Sequence, residues 1–287
     1  MESLKVHNII IWVLLLGVFF IPFNSWSGIG FLGEYYRDSC FLFFSFAFFL
    51  TLFKKRINIP VNSLIFQFLI LFILWSVLAT LLNLNNVLEY YFKQTSGISR
   101  FINQFGSLII ASVIIPVTFY NGFKKINIDK IFRLIRGVIL ASLLIAFIYS
   151  VFEILIVKLN MVYLKKSILN LFDYFPFTEA KTDMRLRRIS SVTFEPPALG
   201  TYLLSIAGWM FSYVFTEKNR LKYLPSLIVI FLGFMSGSRA AFFIILIQLL
   251  VAIIFFIKQR SRSNNIYKIF FGVFIFSVLT LVYFNKP

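Results

Sequence analysis

Apolar residues fall along this chain in long runs broken by short polar or basic stretches. Runs long enough to cross ~30 Å of hydrocarbon at ~1.5 Å per residue occur nine times. They lie at about residues 8–23, 39–53, 61–82, 105–120, 137–157, 198–215, 223–238, 240–257 and 269–284. The second, fourth and seventh are short, and the seventh and eighth can also be read as one interrupted hairpin. No period of ~20–50 residues repeats, and no Gly/Ser or Pro linker divides the chain. The pattern predicts an all-α, polytopic membrane bundle of about nine transmembrane helices. It forms a single membrane domain over residues 1–287, with one long loop at 158–194. No small-residue cleavage site follows the first run, which is therefore expected to be an uncleaved span.

Composition turns the pattern into a class. Hydrophobic residues make up 60% of the chain and charged residues 14%, and mean hydropathy is +0.88. A soluble domain of 287 residues could not bury that much apolar surface. The 39 phenylalanines and the many Ile, Asn and Lys residues read as a nucleotide-composition bias and carry no function here. Cys40 is the single cysteine and His7 the single histidine. An internal disulfide, a Cys-based metal site and a His cluster are thereby excluded.

Charge sets the expected orientation. With the N-terminus inside, inner segments hold 16 basic residues against Glu2, Asp129 and Glu217, and so carry +13 of the net +17. Inner basicity of this kind marks topology and contact with anionic lipid head groups rather than nucleic acid. The loop at 158–194 is the exception. It falls outside, yet holds seven basic residues against Asp173, Glu179 and Asp183. Long loops cross regardless of charge. Within it, Leu164, Ile168, Leu171, Phe172 and Phe175 recur at helical spacing around Lys165, Lys166 and Asp173. That spacing predicts a short amphipathic helix lying on the outer surface, capping a cavity or packing on the bundle.

Two charged points stand out against this background. In "RLRRISSVTFEPPALGTYLL", residues 185–204, three arginines precede a glutamate and a Pro-Pro pair. Pro196 and Pro197 suit the first turn of a helix, so the sixth span starts there and leaves Glu195 at its outer end. In "FMSGSRAAF", residues 234–242, Ser236-Gly237-Ser238 interrupts the apolar run and Arg239 opens the eighth span. Arg185, Arg187, Arg188, Glu195 and Arg239 thus all face the outer side. Helix starts favour anions, and the arginine fork binds two phosphate oxygens without losing its charge. Plainer roles exist for each. A boundary arginine commonly snorkels as an anchor, and Glu195 could cap its helix or pair with an arginine. Glu153 and Gln67 are expected to be internal hydrogen-bonding residues.

The two stretches "RISSVTFEPPALGTYLL" and "FMSGSRAAF" resemble the paired signature of the O-antigen polymerase and ligase superfamily, most closely the Wzy-type repeat-unit polymerases. The resemblance is concentrated in residues 185–245. It implies a fold of the integral-membrane glycosyltransferase kind in the bacterial cytoplasmic (inner) membrane, with a cavity open to the outside. It also implies joining of undecaprenyl-pyrophosphate-linked oligosaccharide repeat units into O-antigen, capsule or exopolysaccharide, with no cofactor, metal or nucleotide sugar. No outer Asp-x-Asp motif or His cluster offers a cation site. Expected partners are the lipid-linked oligosaccharide and membrane lipids, with room for a chain-length regulator protein and none for nucleic acid.

On this resemblance Arg188 and Arg239 stabilise the leaving pyrophosphate, and Arg185 and Arg187 make looser entry contacts to it. Glu195 is the general base for the attacking hydroxyl. Ligase relatives are associated with an outer-loop histidine, which this chain lacks, and that favours a polymerase. Members usually have more spans. This chain stops at Asn285-Lys286-Pro287 directly after the ninth, so a truncated or degenerate member is expected and the enzymatic reading is conditional on a complete chain. Two alternatives are a ligase-type transfer and a non-enzymatic flippase or exporter. The latter would show pseudo-symmetric halves, which are not found. A membrane assembly or scaffold subunit would have no need of clustered outer arginines at helix starts.

Overall fold

The computed structural model describes residues 2–29, 35, 37–53, 57–92, 95–161, 163, 167, 170, 175–179 and 188–259. The ninth apolar run lies outside the described residues, as does nearly all of the amphipathic segment expected at 164–175. The other eight runs each correspond to helix. In chain order the helices begin with α1 (Glu2–Phe19), α2 (Ser39–Leu52), α3 (Leu64–Leu82), α4 (Leu84–Glu89) and α5 (Gly97–Ile109). They continue with α6 (Ile115–Phe123), α7 (Ile128–Val157), α8 (Pro196–Thr216), α9 (Leu224–Met235) and α10 (Arg239–Gln259). A two-rung antiparallel pairing, Tyr91 with Ser96 and Phe92 with Thr95, joins α4 to α5.

Four helical stretches are long and apolar enough to cross a membrane: Leu64–Leu82, Gly97–Phe123, Ile128–Val157 and Pro196–Thr216. The second is α5 and α6 made continuous by one π-helical turn, Ile110–Ile114. Pro116 follows that turn and cannot donate an N–H, a setting in which wider turns are accommodated. Only 6% of the apolar window of α3 is buried, and Ile65 and Trp75 are 75% and 62% exposed. A face this apolar and this large suits lipid and not water. The chain has the character of a multi-spanning membrane protein.

The fold divides into two compact units, Met1–Ile21 with Ser27–Ile135, and Pro22–Trp26 with Arg136–Pro287. The division falls inside α7 and not in a linker.

In the first unit α1 packs on α2 through a glycine. A Cβ on Gly17 would stand 2.3 Å from the Phe44 ring, so a larger residue would force the ring or the helix to shift. Gly122 of α6 meets Leu14 in the same way, at 2.7 Å. Asn121 ties the chain after α2 to α6. Its side chain accepts from Asn58 N–H (2.9 Å) and donates to Asn58 C=O (2.8 Å).

In the second unit α7 and α8 run antiparallel. Ser142 meets the Tyr202 hydroxyl at 3.1 Å. One end is closed by buried Arg136, which bonds Thr216, pairs with Glu217 at 2.6 Å and lies 4.0 Å from the Tyr213 ring centroid. Arg136 was expected among the lipid-contacting inner basic residues, but it is an internal one: an arginine fork buried with a carboxylate and an aromatic face is satisfied without lipid.

α9 returns beside α8, with Ser226 Oγ donating to Met210 C=O. At 12 residues it is about 18 Å long, short of the ~30 Å hydrocarbon core. Gly233 packs on Ile245 and Phe242, so α9 and α10 form the interrupted hairpin. α10 then runs parallel to α8, and Gln248 donates to Leu204 C=O at 2.9 Å.

Candidate functional site

Because α8 and α10 are parallel, their N-termini share one end of the second unit. Gly200 is what brings them together. A Cβ there would stand 2.9 Å from both the Ala241 and the Ser238 Cβ atoms. The two sequence stretches that looked like a paired signature, about forty residues apart, are therefore in direct contact.

Between them lies the Ser-Gly-Ser break. α9 ends at Met235, and Gly237 takes the left-handed conformation, φ +65, as glycine after a helix C-terminus commonly does. Ser236 Oγ donates to Gly233 C=O and accepts from Ser238 N–H at 3.3 Å. Arg188 completes the contact, its Cγ and Cδ lying 3.0 and 3.2 Å from where a Gly237 Cβ would be. Arg188 and Arg239, the first residue of α10, are both exposed. Arg185 and Arg187 lie outside the described residues.

Glu195 occupies the N-cap of α8 with extended backbone, φ −157. Its side chain makes no cap hydrogen bond and no ion pair with Arg188 or Arg239 among the described residues. The cap is therefore not formed, and neither described arginine of the two stretches pairs with the carboxylate. The carboxylate is exposed, while the Glu195 carbonyl accepts from Thr193 Oγ1, Ala198 N–H and Leu199 N–H.

The segment leading to Glu195 is held from two sides. Glu153 of α7 is 2% exposed and accepts from Ser190 N–H at 3.1 Å, Ser190 Oγ at 3.2 Å and Ser191 N–H at 2.6 Å. Ser191 is left-handed, φ 55, which aims the two successive N–H groups at one carboxylate. Ser191 Oγ in turn donates to Ala146 C=O. On the other side, buried Asn24 accepts from Phe194 N–H at 3.0 Å and donates its own N–H to Val192 C=O at 3.3 Å. Glu153 is thus an internal hydrogen-bonding residue, as expected. Gln67 is not internal: it is exposed, and among the described residues its side chain bonds locally, to Val61 C=O.

Sequence reasoning missed Asn24, Ser190 and Ser191. The signal for Asn24 was slight, one amide in the polar break after the first apolar run. That for the serines was their place within the motif itself.

The arrangement favours an anion unequally at its two helix starts. Pro196 and Pro197 remove two N–H donors from α8, and Ala198 and Leu199 are turned to the Glu195 carbonyl, so α8 contributes its dipole and few free donors. α10 begins with a charged arginine and ordinary amides. The Ser190–Ser191 N–H pair is already occupied by Glu153 and has nothing left for a phosphate.

No family model, curated protein or solved structure matches this chain.

Proposed function

We propose that the chain is a membrane glycosyltransferase that polymerises undecaprenyl-pyrophosphate-linked oligosaccharide repeat units on the outer face of the bacterial cytoplasmic membrane. One observation carries this reading: the seating of Arg188 against Gly237, which brings the motif ending in Glu195 beside the turn that precedes Arg239. Two exposed guanidinium groups then flank the start of α10, suited to a leaving pyrophosphate without a metal. Glu195, exposed and without a cap bond, accepts the proton of an attacking sugar hydroxyl. In this reading the new glycosidic bond forms as the bond from the anomeric carbon to pyrophosphate breaks. The pyrophosphate keeps the electron pair, and the hydroxyl proton passes to Glu195.

The test is a surface polysaccharide ladder in a host deleted for its own polymerase. Expression of the chain should restore the ladder, and Arg239→Lys should weaken it at normal membrane levels because the fork is lost though the charge is kept. Single repeat units alone from the unmodified chain would end the reading.

A further inference from the structure

The first unit carries a groove of its own, lined by none of the residues assigned roles above. A groove of about 300 Å³ lies between α4 and the start of α5, at the lower end of small-molecule sites. Asn86 and Tyr90 line it from one side, and Arg100, Phe101 and Gln104 from the other. Its floor is fixed by a close backbone approach. Gly97 N–H donates to Tyr90 C=O at 2.8 Å, and a Cβ on Gly97 would stand 2.1 Å from Val87 C=O. Only glycine permits that approach, and the Tyr91–Ser96 and Phe92–Thr95 rungs hold it.

The polar residues of α5 indicate the depth of this groove. Gly97–Phe123 is 27 residues, about 40 Å, against a hydrocarbon core of ~30 Å. The excess of about 10 Å is taken up by tilt or by projection at an end. The polar stripe Arg100, Asn103, Gln104 and Ser107 recurs at helical spacing at the α5 end, so this is the end suited to the head-group level. Amides facing hydrocarbon would go unsatisfied; at head-group level they meet polar partners.

We propose that this groove binds an anionic, hydroxyl-bearing head group at the membrane surface. Arg100 takes the charged oxygens, with the α5 N-terminus adding its dipole and no acidic residue in its first turn to oppose it. Asn86 and Gln104, each both donor and acceptor, suit hydroxyls. Tyr90 and Phe101 cover the apolar face of the head group. This chemistry has two membrane sources, the head group of phosphatidylglycerol and the phosphate-linked sugar of a polyprenyl lipid. The proposal does not depend on the polymerase reading.

Native mass spectrometry of the full chain tests it. In nanodiscs of mixed phosphatidylglycerol and phosphatidylethanolamine, the chain should retain the former, and Arg100→Gln should lower retention ~10-fold or more, as expected for a lost charge-assisted bond. Gln104→Leu should lower it less. A second arm adds a glycosyl polyprenyl phosphate to discs of phosphatidylethanolamine alone. Retention there, lost in Arg100→Gln, supports the site and identifies the sugar as the source. Equal retention of the two phospholipids together with none of the polyprenyl lipid overturns the proposal. So does retention unchanged in both variants at wild-type melting temperature. Should Arg100→Gln fail to fold, Gln104→Leu alone decides.

Discussion

The carboxylate of Glu153 receives the backbone N–H groups of both Ser190 and Ser191, residues 37 and 38 positions further along the chain. A buried side chain in the last turns of an apolar helix thereby organises the turn that ends at Glu195. Burial of a carboxylate is costly unless its oxygens are matched, and here at least three donors match them.

Removal of this acceptor should be felt in stability. Glu153→Ala leaves two buried N–H donors without a partner, each worth about 1–3 kcal/mol. Glu153→Gln keeps one carbonyl oxygen and should cost less. Thermal unfolding in detergent, following wild type, Gln and Ala, should give melting temperatures in that descending order. Equal melting of Ala and wild type would show the bonds to be immaterial.

Gly237 should tolerate asparagine better than alanine or valine. Its left-handed backbone costs an ordinary residue about 1–2 kcal/mol, and asparagine visits that region more readily. Any Cβ also presses on Arg188 at 3.0 Å, so all three variants should weaken the polysaccharide ladder. Full ladders from Gly237→Val would detach Arg188 from the activity.

Glu195→Gln should separate stability from rate. The side chain is exposed and makes no cap bond, so stability should stay within about 0.5 kcal/mol of wild type. Chain extension should fall ~10²–10⁴-fold if the carboxylate accepts the proton, with single lipid-linked repeats accumulating. A wild-type ladder from the Gln variant removes Glu195 from catalysis.

A reporter scan checks the orientation. Fusions at Ala180 should read outside, and those at Lys125, Asn219 and Asn264 inside. A cytoplasmic result at Ala180 would put the arginines on the wrong face for an outer lipid-linked donor.

Arg136 and Glu217 illustrate how far a local reading reaches. Charge places both in inner segments, and in the fold they meet at one end of the α7–α8 pair. Their burial against Tyr213 could not be read from that assignment, because each was counted as an isolated charge near a span end.

Hydropathy alone determined that this is a helical membrane chain, and where most of its helices run, because exclusion from water acts on each segment separately. Turn chemistry was legible too: Pro196–Pro197 opens α8, and Ser236-Gly237-Ser238 breaks α9 from α10. What the tertiary structure decided was pairing. That α8 and α10 run parallel, that Gly200 admits Ser238 and Ala241, and that Arg188 rests on Gly237 depend on contacts between residues tens of positions apart. No periodicity encodes such contacts. The same holds for Glu153 and Asn24, whose amides and carboxylate could have met any nearby backbone. Only packing selects the turn at 190–194, since a buried polar group takes the partner that the neighbouring helices leave within reach.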